Sequence, residues 1–121
     1  MSLTRQTINV TTRDNEQLTL TLPAEHVYPF IIHRSVKEHL EKKQKERTRY
    51  SNKHVVSHLL TGANVGVFPN YENALIFVRK LKDKPIFLMP TIPLLRSHPD
   101  WYKTSKKVQI LKQEYGVDEW G

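Results

Sequence analysis

Cysteine is absent from all 121 residues. That absence removes disulfides, thiolate metal sites and cysteine nucleophiles together, and it fits a reducing cytoplasm. Glycine is scarce, with four in the chain, which leaves little room for a phosphate-cradling loop. No Gly-rich loop, nucleophile elbow or aromatic RNP-type strand occurs, so no cofactor is expected. Long apolar runs are also missing. The longest, Ala74–Val78 and Ile86–Met89, fall far short of the ~20 residues that span a bilayer, so no membrane partner is expected. Met1–Val10 alternates threonine with apolar residues and does not read as a signal peptide.

What is present is one-sided charge. The net charge is +7, and it is unevenly spread. Residues 33–54 carry eight bases and three acids, and residues 79–112 carry nine bases and two acids. The last nine residues carry three acids. Two separated basic segments therefore hold the excess, which favours anionic partners.

Hydrophobic periodicity gives the elements. Ile8 and Val10, then Leu18, Leu20 and Leu22, alternate with threonines around the turn residues Arg13–Glu16. This predicts a hairpin of 6–12 with 17–22. Phe30, Ile31 and Ile32 are expected to enter the core. Ser35 and Glu38 match a capping box and predict a helix over 35–47. Ser51 is placed to cap a second helix over 52–61, with Val55, Val56, Leu59 and Leu60 inward and Gly62 as its C′ residue. Val65–Phe68 reads as a strand. Asn70 caps a helix over 71–82 with a wide apolar face, and Ile86–Met89 reads as the next strand. Pro90, Pro93 and Pro99 keep 90–99 extended. Asp100 is placed to cap a last helix over 101–115, stopped at Gly116. The expectation is one α+β domain over 1–121. Its N-terminal hairpin and a short βαβ unit would form a mixed sheet of about four strands, packed by about four helices.

The leading functional reading is a nucleic-acid-binding or regulatory protein without catalysis. Lys42, Lys43, Lys45, Arg47, Arg49 and Lys53 are six bases within 12 residues. Such bases gain affinity for phosphates by releasing counterions. Tyr50 offers a stacking face, Asn52 a hydrogen bond, and the helix starting after Ser51 would offer N–H groups to a phosphate. Lys103, Lys106 and Lys107 share one face of the last predicted helix at i,i+3 and i,i+4, and would extend the track. The plain alternative is a solvated charged helix. DNA and RNA are not distinguished.

Two other readings stand beside it. Pro90–Leu95 could expose apolar side chains to a partner or a second copy, making the chain an interaction protein or homodimer. His54 and His58, four apart on the predicted 52–61 helix, have a spacing that can bind one metal ion, as in a small metal-dependent nuclease. Val55 stands where a zinc-protease helix carries glutamate, so that enzyme class is excluded.

Overall fold

The structure is a computed structural model that describes residues 4–11, 17–42 and 45–117. Five strands come first: β1 (Thr4–Thr11), β2 (Gln17–Val27), β3 (Phe30–Lys42), β4 (Lys45–His58) and β5 (Asn64–Phe68). Three helices follow, α1 (Tyr71–Leu81), α2 (Ile92–Ser97) and α3 (Trp101–Tyr115), with a 3-10 turn at Pro85–Leu88 ahead of α2. The strands form one sheet in chain order, each pairing antiparallel with the next. The α+β class is as expected. The mixed sheet of about four strands with about four helices is corrected, among the described residues, to an antiparallel meander of five strands with three helices.

The elements with strong local signals form where the sequence places them. β1 and β2 pair with Ile8 opposite Leu20 and Val10 opposite Leu18. The Asn70 side chain accepts from Asn73 N at 2.8 Å and starts α1. Ala74, Phe77, Val78 and Leu81 of α1 are fully buried, and burying each of the larger three contributes roughly 1.5–3 kcal/mol. α3 covers its expected span. The crowding behind it explains Gly116, where an added Cβ would lie 2.7 Å from the Lys112 carbonyl oxygen and 3.0 Å from that of Val67. Val117 N donates to the same Val67 oxygen at 2.9 Å, tying the end of α3 to β5.

The middle of the chain departs from expectation. The described residues of 35–47 and 52–61 are not helical; they belong mostly to β3 and β4. Around Val55–His58 the sheet is buried on both faces, which hides the strand alternation. Phe30, Ile32, Val56 and Phe68 lie on one face, packed with α1, the 3-10 turn, Leu95 of α2 and Leu111 of α3. On the other face Leu22, Ala24, Ile31, His33 and Val55 are at most 3% exposed, and none belongs to that helix-packed cluster. Neighbouring residues such as Val55 and Val56 are therefore both apolar, and read in isolation they imitate a helix face. Gly62 does adopt a positive φ of 74°, but in the β4–β5 turn, where its N–H donates to the His58 carbonyl at 2.7 Å. The expected strand at Ile86–Met89 is replaced by the 3-10 turn, so no parallel βαβ unit forms. The 90–95 stretch is not extended. Thr91 caps α2 by accepting from Leu94 N at 3.3 Å, leaving Leu95 buried with Ile92 and Leu94 exposed.

The sheet forks. β2 and β3 pair only over Ala24–Val27 and Phe30–His33. Beyond Ala24, β2 pairs with β1 alone. Beyond Arg34, β3 pairs with β4 alone, out to Lys42 opposite Lys45. Two ribbons thus leave the same end of the sheet. The β3–β4 arm has register shifts on both sides of Val36, and such irregularities bend a ribbon and increase its twist. At the opposite end lie the β4–β5 turn, the 3-10 turn and α2.

Candidate functional site

Most of the basic cluster lies on the β3–β4 arm. Lys42 ends β3, and Lys45, Arg47, Arg49, Tyr50, Asn52 and Lys53 belong to β4. Lys43 lies outside the described residues. Between residues 38–42 and 45–49 the register is regular, so directly opposed residues share a face of the ribbon. One face carries the positions of Glu38, Leu40, Lys42, Lys45, Arg47 and Arg49; the other carries those of His39, Glu41, Glu46 and Thr48. The ladder therefore sorts four bases and one acid to one face, and two acids with no lysine or arginine to the other. Lys42 opposes Lys45 and Glu41 opposes Glu46, and like charges directly opposite repel. Tyr50 pairs with Val36. Asn52 is exposed, and Lys53 Nζ donates to its Oδ1 at 3.2 Å. No helix starts at Ser51, so the phosphate-ready N–H groups expected there are absent.

Lys103, Lys106 and Lys107 are all exposed on α3, and Lys106 Nζ stands 4.5 Å from the Tyr102 ring centre. They occupy its N-terminal half, where Trp101 and Thr104 border a cavity with His58 and Asn64. Those two residues mark the end of the sheet away from the fork. The other end of α3 meets Val67 and Asn73, whose Nδ2 donates to the Tyr115 carbonyl at 3.0 Å. The two basic segments thus lie toward opposite ends of the sheet. The arm adds about 30 Å of strand contour beyond the fork, at ~3.3 Å per residue.

The histidine pair is corrected too. On a strand, residues four apart are about 13 Å apart, too far to ligate one ion. Among the described residues no group of three His, Cys, Asp or Glu could hold a metal. His58 is a structural staple. Its Nε2–H donates to the Phe87 carbonyl at 2.5 Å, and its Nδ1 accepts from the Thr61 hydroxyl at 2.9 Å. Burial lowers its pKa, against the raising effect of the Phe87 bond.

His54 stands at the root of the arm, opposite Arg34. Its Nδ1 is buried without a partner, and its ring meets Tyr71 edge-on at 6.2 Å between centres. Burial lowers its pKa, and the Arg34 charge lowers it further. The Tyr71 hydroxyl donates to the Glu25 carboxylate. Burial first, then Glu25, pushes Tyr71 up to about 12. Glu25, Arg34, His54 and Tyr71 come from β2, β3, β4 and α1, so no local spacing could have linked them.

A further polar set sits on the face opposite the helices. His33 Nδ1–H donates to the Arg34 carbonyl at 2.8 Å. Ser57 has one hydroxyl proton and gives it to Asn64 Oδ1 at 3.0 Å, while His33 Nε2 stands 3.5 Å from Ser57 Oγ. Ser35 Oγ is buried with no partner. Burial pushes His33 down to about 4, partly opposed by its carbonyl bond and reinforced by His54. No helix among the described residues is long and apolar enough to cross a membrane. No family model, curated protein or solved structure matches this chain.

Proposed function

We propose that this chain binds nucleic acid through the β3–β4 arm, without catalysis. The observation that carries this reading is the sorting of charge along the ladder. The positions of Lys42, Lys45, Arg47 and Arg49, with Glu38 opposite Arg49, fall on one face of the ribbon, while those of Glu41 and Glu46 fall on the other. A two-stranded ribbon fits the major groove of B-DNA, and lysine and arginine on it would hold phosphates by displacing counterions. The repulsion between opposed Lys42 and Lys45 is relieved by a polyanion. Tyr50, Asn52 and Lys53 extend the contact toward the arm's root. Lys103, Lys106 and Lys107 form a second cationic surface at the other end rather than a continuation of the first.

The test is fluorescence anisotropy with labelled duplex and single-stranded DNA and RNA at about 50 mM salt, where phosphate contacts are strong. Micromolar or tighter binding that is lost in Arg47→Glu/Arg49→Glu supports the reading. No binding to any of the four probes overturns it.

The exposure of Leu88, Ile92 and Leu94, at 51%, 41% and 46%, favours a second reading, a homodimer through α2. A salt-insensitive dimer in light scattering, lost on Leu94→Asp, would support it.

A further inference from the structure

The end of the sheet away from the arm carries a cavity of about 340 Å³. It lies between the β4–β5 turn, the 3-10 turn, α2 and α3. Its apolar surface comes from Val65, Phe87, Leu95 and Val108, and Trp101, 37% exposed, contributes a flat aromatic ring. Apart from Arg96 its polar side chains are neutral: Asn64, Thr104 and Gln109 offer a hydroxyl and amides, and the Ser105 hydroxyl donates to the Tyr102 carbonyl at 3.0 Å. His58 also borders it, but both ring nitrogens are engaged.

Charge sets the sign of what fits. Among the described lining residues, Arg96 is the one ionised side chain and none is acidic. Ser105 and Gln109 also border an adjoining shallow depression with Lys106 and Ile110, so the next cation stands one helical ridge away. The first turn of α3, which contributes Trp101 and Thr104, contains no acid, and Asp100 makes no side-chain cap to it. The Asp100 carboxylate instead stands 3.9 Å from His98 Nδ1. The positive end of the α3 dipole is therefore without a capping side chain beside the cavity.

We propose that this cavity binds a small flat aromatic anion in the size class of a nucleoside monophosphate. The ring packs against Trp101 and the apolar surface, and its polar edge meets the amides of Asn64 and Gln109. The anionic group meets Arg96. A volume of this size is at the small end of ligand cavities and suits one such molecule. The site is at the far end from the arm and does not rest on the reading of the arm. Free mononucleotides and the phosphorylated end of a strand share this chemistry.

The experiment reads Trp101 fluorescence in a Trp120→Phe background, which leaves one tryptophan in the chain. AMP, GMP, CMP and UMP are titrated separately, with the matching nucleosides and inorganic phosphate as halves of the ligand. The expected result is saturable quenching by at least one monophosphate, with each half binding at least ~10-fold more weakly. Arg96→Ala weakens binding by about 10-fold, the scale of one charge-assisted hydrogen bond to phosphate. Ser105→Phe fills the cavity and abolishes the response while circular dichroism stays unchanged. A 5′-phosphorylated oligonucleotide carrying Arg47→Glu/Arg49→Glu protein separates the sources: saturation there identifies a strand end, and saturation by monophosphates alone identifies a free nucleotide. No saturable change with any monophosphate up to about 5 mM, a very weak affinity, overturns the proposal. So does a response that Ser105→Phe leaves intact.

Discussion

Strand β4 passes through two environments. Over Val55–His58 it lies between β3 and β5, and all four residues are at most 3% exposed. Over Lys45–Arg49 the same strand pairs with β3 alone, and its residues are mostly charged. In the body, burial fixes the structure and every polar group needs a partner. In the arm, backbone pairing fixes the ribbon and leaves composition available for charge. The body should therefore answer to cavities and protons, and the arm to polyanions and salt.

The largest effect expected is in the body. Phe77 is fully buried and its ring meets that of Phe68 at 4.7 Å between centres, tilted by 48°. Phe77→Ala should cost about 3–5 kcal/mol in urea unfolding, whereas charge reversal at Arg47 and Arg49 should stay within about 0.5 kcal/mol. A comparable loss from the arm would erase the distinction.

Acid comes next. His33 titrates at about 4 when folded, against 6.5 when unfolded. Below pH 6.5 the unfolded chain takes up the proton first, so this stability is full above 6.5 and is lost as the pH falls toward 4. At about 1.4 kcal/mol per unit the loss is about 3 kcal/mol. His54 and His58 are lowered in the same direction and add to the slope. Urea midpoints between pH 7 and pH 4.5 should fall, and His33→Gln should flatten that fall. A midpoint independent of pH would show that the buried histidines are not held neutral by the body.

The arm's own effect is on binding. Arg47→Glu/Arg49→Glu should weaken nucleic-acid binding by about 100-fold at low salt, since two phosphate contacts become repulsive. Lys106→Glu/Lys107→Glu on α3 should change it far less. The smallest effect is at Ser35, whose buried hydroxyl has no partner. Ser35→Ala removes an unsatisfied group and should be neutral or stabilising by up to about 1 kcal/mol. Clear destabilisation would mean that the hydroxyl is bonded.

Ser35 also shows where the sequence misleads. With Glu38 it imitates a capping box, yet its hydroxyl caps nothing and the chain around it is extended. The helix signal was made of lysine, glutamate and one leucine, which are good helix formers but bury little. Backbone pairing of Val36–Lys42 with Lys45–Tyr50, continuing the ladder in which Ile32 and His33 pair with the buried Val56 and Val55, outweighs that propensity. By contrast, Asn70 and the wide face of Ala74, Phe77, Val78 and Leu81 make 71–82 legible, because a helix buried along one side keeps its period. The N-terminal hairpin is legible because its apolar residues alternate with threonines at a period of two. The basic residues could be named from the sequence, but not their sorting to one ribbon face, which depends on the 38–42 and 45–49 register. The Glu25, Arg34, His54 and Tyr71 grouping was not legible at all, since four elements supply one residue each.

The most direct test is the salt dependence of binding. For native protein, log affinity against log salt should be a straight line whose slope reports the phosphates engaged. Replacing Lys45, Arg47 and Arg49 by glutamine should lower the slope by about 2–3, while the same change at Lys103, Lys106 and Lys107 should leave it nearly unchanged. A slope that falls with the α3 residues and not with the arm residues would contradict the account.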